Sequence, residues 1–151
     1  MSATIRPMRF SDAAKIAACA RAADVAEIKA CCGLEIKEAL QQCLEHSLRS
    51  WVIESKGKPL AAVGDTMAAI GIGVPWMVTT DHIVSDRRGF LRASRAVMVE
   101  MHQRHWSLVN YVDARNVDAI RWLSWLGATI EDPVPYGAAG LPFRKFTRER
   151  A

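Results

Sequence analysis

Near Ser85 and Asp86 the spacing of apolar residues changes from about two to about 3.6, and this switch constrains the fold more than any other feature of the chain. Ahead of it the chain reads as strands. Trp51-Val52-Ile53-Glu54 and Leu60-Ala61-Ala62-Val63-Gly64 flank the turn Lys56-Gly57-Lys58-Pro59, a hairpin signature. The run from Val74 through Val78, Thr79, Thr80 and Ile83 has the β-branched density of a further strand. Past the switch, Phe90, Val97, Met98 and Met101 share one helical face while Arg88, Arg92, Arg95 and Glu100 lie elsewhere, which predicts the longest helix, ending near His105. Trp106-Ser-Leu-Val-Asn-Tyr-Val-Asp113 then reads as a buried strand, flanked by helices and parallel to its predecessor.

Around this unit the remaining segments are punctuated clearly. Thr4-Ile-Arg-Pro-Met-Arg-Phe opens as a short strand, Pro7 being tolerated only near a strand end or edge. Ser11-Asp12 supplies an N-cap and a first-turn negative charge for a helix whose narrow apolar face is Ile16, Ala20 and Ala23. Gly33 separates it from a second helix over residues 34–48, with Ile36, Leu40, Cys43, Leu44 and Ser47 on one face. Asn116-Val-Asp118 caps a short helix carrying Ile120, Leu123 and Leu126, and Gly127 is a natural residue just past its end. Thr129-Ile130 and residues 141–147 form a final strand pair joined by a loop through Pro133, Pro135 and Gly137.

The 151 residues fit one domain, residues 1–151, with half of them hydrophobic and about a quarter charged. A net charge of +4 is too small to imply a nucleic-acid partner. Cys19, Cys31, Cys32 and Cys43 have neither the paired spacing of a zinc site nor a matching histidine pair, so reduced thiols, no metal and a cytoplasmic setting are expected. Residues 60–78 come nearest to a membrane span, but Asp65 with Gly64, Gly71 and Gly73 breaks them into strands and a turn, and no membrane is expected.

The order of elements, with Ile5-Arg6-Pro7 before Ser11-Asp12-Ala13, the hairpin about Lys56-Gly57-Lys58-Pro59, and Asn116-x-x-Ala119-Ile120-x-x-Leu123-x-x-Leu126-Gly127-Ala128, resembles the GNAT N-acetyltransferases. The resemblance spans almost the whole chain. It implies an α/β (α+β) GNAT fold, a mixed central sheet of about six to seven strands with about four helices on both faces. It implies acetyl-CoA or CoA as cofactor and direct acyl transfer to an amine acceptor. The fourth and fifth strands, here residues 77–83 and 108–113, would splay and leave unpaired backbone groups for the amide arm of the cofactor. The following helix would aim its N-terminus at the pyrophosphate. On that reading Val78, Thr79, Ile83, Arg87, Arg88, Gly89, Arg92 and Asn116 hold the cofactor.

Two departures bear on the chemistry. Ser85-Asp86-Arg87-Arg88-Gly89-Phe90-Leu91-Arg92-Ala93 does not place its Arg, Gly and Ala at the family's phosphate-loop spacing, so the guanidinium groups of Arg87, Arg88 and Arg92 stand in for the missing backbone cradle or simply form a solvated basic helix start. Leu123 occupies the family's Tyr position and donates nothing. The acid that protonates the leaving thiolate would be Tyr111 or Tyr136, or be unnecessary, and the base would be Asp81, His82 or the more distant Asp86. Glu27, Glu35 and Glu38 either attract an amine or form a solvated helix face.

Thr4-Ile5-Arg6-Pro7, Pro59-Leu60-Ala61, Val78-Thr79-x-Asp81, Asn110-Tyr111-Val112 and the Asn116 to Ala128 segment also resemble a narrower set, the GNAT-like proteins of short-tailed phages related to an internal virion protein. That likeness implies a second function class: a catalytically silent protein with a virion or host protein partner, docking through Trp122, Trp125 or Trp76.

Overall fold

The computed structural model describes residues 3–151. The sheet is organised around its two innermost hairpin strands, β2 (Arg49–Ser55) and β3 (Lys58–Ala69), which are buried on both faces. Side-chain alternation divides their residues between two cores. Ile53, Ala61 and Val63 join Phe90, Val97, Met101, Leu108 and Leu126 on one face. Val52 and Ala62 join Ile16, Leu40 and Val78 on the other. The first core is covered by α4 (Arg87–Met101) and α5 (Val117–Trp125), the second by α1 (Asp12–Cys19), α2 (Ala22–Cys32) and α3 (Ile36–His46).

The chain runs β1 (Thr4–Pro7), α1, α2, α3, β2, β3, β4 (Ile72–Thr79), a 3-10 turn (Asp81–Ser85), α4, β5 (Ser107–Asp113), α5, β6 (Thr129–Ile130), β7 (Val134–Tyr136) and β8 (Leu141–Glu149). The strands form one 8-stranded sheet in the order β1-β2-β3-β4-β5-β8-β6, with β7 also pairing β8. Only β4 and β5 are parallel neighbours. The described residues therefore hold eight strands and five α-helices, more than the sequence predicts, because β7 forms inside the proline loop and the first helical segment is two helices.

That break falls at Ala20, which is extended (φ −61°, ψ 143°). The extension forms a bridge to Thr80 and lets the Arg21 N–H donate to the Thr79 carbonyl at 3.0 Å. An alanine-rich run conceals this, since no residue in it disfavours a helix. The expected Ser11 cap is also corrected: Ser11 lies in helical space without a side-chain cap, and the buried Asp12 accepts the Arg9 N–H at 2.7 Å and both Arg6 Nη groups at 2.7 and 2.8 Å. The strand predicted to reach Ile83 stops at Thr79. Thr80 turns the chain out of the sheet by donating to the Pro59 carbonyl at 2.6 Å and accepting the His82 N–H at 3.2 Å. Asn116 caps α5 through the Ala119 N–H, and Gly127 follows that helix at φ 93°, as the spacing predicts.

β3 carries a glycine where no other residue fits. A Cβ on Gly64 would stand 2.7 Å from the Arg49 carbonyl oxygen and 2.7 Å from the Trp76 ring. Trp76 is itself tied by its indole N–H to Ser47 at 2.8 Å. Gly64→Ala is expected to destabilise the fold by about 1–3 kcal/mol, the usual cost of overpacking a filled site. A urea-unfolding midpoint equal to that of the parent would contradict this packing.

Candidate functional site: a cleft between splayed strands

β4 and β5 pair only at their N-terminal ends, Ile72 with Ser107 and Gly73 with Leu108. Beyond Gly73 they diverge, and the backbone groups of alternate residues point into the gap, where each must find a partner. Asn110 spans the narrow end: its Nδ2 donates to the Pro75 carbonyl at 2.7 Å and its Oδ1 accepts the Tyr111 N–H at 2.8 Å.

The wide end is closed by α2. The Asp24 carboxylate accepts the Thr79 N–H at 2.7 Å and also the Thr79 hydroxyl, while Glu27 accepts the Asp113 N–H at 3.0 Å. One carboxylate thus serves each splayed strand. Asn116 joins them, its Nδ2 donating to Asp24 at 2.9 Å and to Glu27 at 3.2 Å. Arg21 completes the cluster by donating to the Thr79 hydroxyl at 2.6 Å, to Asp24 at 3.0 Å and to the Asn116 carbonyl oxygen at 3.1 Å, with its guanidinium 4.7 Å from the centre of the Trp122 ring. Between the two ends, Met77 is the β4 residue facing the gap whose backbone N–H and C=O have no such partner among the described residues.

An apolar cavity of about 230 Å³ runs through the gap. Phe90, Met98, Trp122 and Leu123 wall it on the α4 and α5 side, and Asp24, Glu27 and Cys31 on the α2 side. The turn after β7 seals its edge, because Gly137 (φ 80°) approaches the Cys31 backbone so closely that a Cβ there would stand 2.8 Å from the Cys31 Cα. Tyr111 also lines the cavity and stacks on Tyr136 at 3.9 Å between ring centres. Burial pushes the Tyr136 hydroxyl pKa up.

Burial, with the neighbouring Asp24 charge adding to it, raises the Glu27 carboxyl from its ordinary range to about 7, although the Asp113 N–H and Asn116 favour its charged form. A carboxyl that titrates there exchanges protons at neutral pH. The sequence gives Glu27 as an amine-attracting or merely solvated residue. Its half-buried position follows from the break at Ala20, which aims α2 across the gap.

The sequence-expected site residues divide accordingly. Thr79, Tyr111 and Asn116 line the cavity. Val78 packs in the core under α1 and α3, and Ile83 in the core under α4. Asp81 and His82 lie in the 3-10 turn, the first exposed and the second partly buried. Arg87, Arg88 and Arg92 are exposed on the first turns of α4, and Gly89 is buried there. Asp86 caps that helix, accepting the Gly89 N–H at 3.0 Å and the hydroxyl of Ser55 on β2 at 2.9 Å, and Phe90 in its first turn lines the cavity and packs edge-on against Trp122 at 5.1 Å between ring centres. The Gly89 N–H and Ser55 hydroxyl hold the Asp86 carboxyl below its usual range.

A carboxyl with a raised folded pKa keeps its proton longer in the folded chain than in the unfolded one. Unfolding then releases a proton between about pH 4.5 and about 7, and stability falls as pH rises through that window. Glu27→Gln, which still accepts the Asp113 N–H, is expected to lose less stability than the parent over that range. Parallel pH profiles of the unfolding midpoint would contradict a desolvated, titrating Glu27.

No family model matches the chain, and no curated protein does. Among solved structures, Ard1 from Thermoplasma volcanium superposes with a TM-score of 0.75 at 14% identity, covering 100% of this chain and 99% of that one. The aminoglycoside acetyltransferase AAC(6')-Ib, solved in complex with coenzyme A, gives 0.72 at 16% identity over 99% and 95%. A spermidine N-acetyltransferase SpeG chimera from Vibrio cholerae and hSSAT gives 0.70 at 10% identity over 99% and 96%. At these identities the likeness is one of architecture, and the architecture is the GNAT fold.

Proposed function

We propose that the cleft is an acyl-transfer site, in which the pantetheine arm of an acyl thioester lies between β4 and β5 and the acyl group passes directly to an amine. The observation that carries this reading is the apolar cavity threaded through the gap and lined by Glu27. A CoA thioester suits the cleft: its apolar walls and the Met77 backbone fit the amide arm, and at the start of α4, where Asp86 takes the Gly89 N–H, the exposed Arg87 and Arg88 are available to its pyrophosphate.

The thioester supplies an acyl carbon activated toward attack. Glu27, with a pKa of about 7, takes the proton from the incoming amine and so replaces Asp81 and His82 as the favoured base. Asn116 and the Asp113 N–H orient Glu27. Tyr111 is the cavity-lining hydroxyl for protonating the departing thiolate, a role Leu123 cannot fill. Val78, Thr79 and Ile83 shape the β4 wall and its continuation rather than touching the acyl group.

A second reading, a catalytically silent protein with a virion or host protein partner, draws support from the Arg21 cluster drawn across the mouth of the gap. The exposed apolar side chains of Met67 near the end of β3, Ile70 in the turn after it and Trp106 add to it, as does the half-exposed Trp125.

Thiol release should be followed with S-acetyl-pantetheine and acetyl-CoA as donors and a panel of primary amines and polyamines. Amine-dependent release is expected, with a rate that rises with pH through about 7 and falls by about 100-fold or more in Glu27→Gln. Absence of amine-dependent release from both donors would leave the silent reading standing.

A further inference from the structure

We propose that the acceptor is a primary monoamine with an uncharged, apolar body, an alkyl or aralkyl chain, rather than a polyamine or other polycation. This inference rests on the acyl-transfer reading and adds to it the chemical class of the acceptor.

The cavity passes through the sheet at the splay. On one side its walls belong to the core under α4 and α5, with Phe90, Met98 and Trp122. On the other they are Ile28, Cys31 and Cys32 of α2, Cys43 of α3, Trp76 and Tyr111, of which Ile28 and Trp76 pack against the core under α1 and α3. With the pantetheine arm in the gap and its thioester toward Glu27, this second chamber is the space left for an acceptor. Two carboxyl groups line the cavity, Asp24 and Glu27, and they are not equivalent. Each Asp24 oxygen already receives two hydrogen bonds, Oδ1 from Arg21 and Asn116 and Oδ2 from the N–H and hydroxyl of Thr79. Both bonds to Glu27, from the Asp113 N–H and from Asn116, end on Oε1. Oε2 has no partner among the described residues, and it is the carboxylate oxygen of the cavity left for an amine.

Past Glu27 the chamber changes character. Cys31 follows one helical turn along the same face of α2. Burial pushes its thiol up to about 12 and the Cys43 thiol up to about 11, so both stay protonated at neutral pH and act as small apolar groups. Trp76 has given its indole N–H to Ser47, and Tyr111 lies stacked on Tyr136. An apolar body gains with every methylene it buries against such walls. A second ammonium group would meet thiols in place of a carboxylate and would have to shed its proton to enter. The chamber thus matches one amine nitrogen, at Glu27, and an apolar chain behind it.

The test is steady-state transfer by the full chain from acetyl-CoA and S-acetyl-pantetheine to ethylamine, butylamine and hexylamine, with hexamethylenediamine and spermidine as the polycations. The same series is run on Ile28→Ala, which cuts back the chamber wall. From ethylamine to hexylamine kcat/KM is expected to rise by about fourfold per methylene. Hexamethylenediamine, of the same chain length as hexylamine, is expected to fall below it by about 100-fold or more near neutral pH, the cost of deprotonating a lysine-like ammonium. In Ile28→Ala the rise per methylene is expected to shrink. A flat series, or a diamine or spermidine used as well as hexylamine, would overturn the inference and leave acyl transfer intact. A folded Ile28→Ala that keeps the full rise per methylene would overturn it too, because the chain would then lie elsewhere. Thiol release with none of these amines from either donor would overturn both readings.

Discussion

The splay of β4 from β5 is the constraint on which the rest of the site depends. Parallel strands that part after Gly73 leave backbone groups facing one another across a gap too wide to bridge, inside a protein where unpaired N–H groups are costly. The chain meets that need with side chains of α2: Asp24 takes the Thr79 N–H and Glu27 the Asp113 N–H. The same bonds fix where α2 lies, why the helical run must break at Ala20, and why Arg21 is drawn in to balance the carboxylates. They also tie α2 to the turn after β7, where the Ala138 and Ala139 N–H groups bond the Cys31 and Ala30 carbonyls.

The chemistry of the cleft follows from the same arrangement. Desolvation of the half-buried Glu27, with the charge of the buried Asp24 adding to it, raises Glu27 to about 7. At the exit from β4 the Thr80 hydroxyl donates to the Pro59 carbonyl, and the 3-10 turn leads into α4, whose cap Asp86 bonds Ser55 on β2 and whose first turn sets Phe90 against Trp122 on the cavity wall.

Much of the scaffold was legible in the sequence because it is written in spacing and punctuation. The period switch at Asp86, the Asn116 cap and Gly127 past the end of α5 mark α4, β5 and α5, and the hairpin of β2 and β3 follows from its turn residues. The parts that were not legible are those set by long-range partners. Thr80 and Ile83 continue the β-branched character of β4, and it is the hydrogen bonds of Thr80, to the Pro59 carbonyl twenty-one positions away and from the His82 and Ile83 N–H groups, that turn residues 80–83 into a 3-10 turn. Nothing between Ala13 and Cys32 disfavours a helix, and the break at Ala20 exists to place Arg21 on Thr79. Glu27 reads as a surface acid in a polar stretch because its burial depends on Asp113 and Asn116, more than eighty residues away. Of the candidate cofactor and catalytic residues, Thr79, Tyr111 and Asn116 do line the cleft, while Asp24 and Glu27 of α2 and Trp122, which also line it, lay outside that set.

The central claim is that the gap between β4 and β5 receives the pantetheine arm. A crystal structure of the chain grown with S-acetyl-pantetheine tests it directly. The account predicts an extended ligand between the two strands, hydrogen-bonded to the Met77 backbone, with its thioester toward Glu27. A gap still closed by Arg21, Asp24 and Asn116, with the ligand bound elsewhere or not at all, would contradict it.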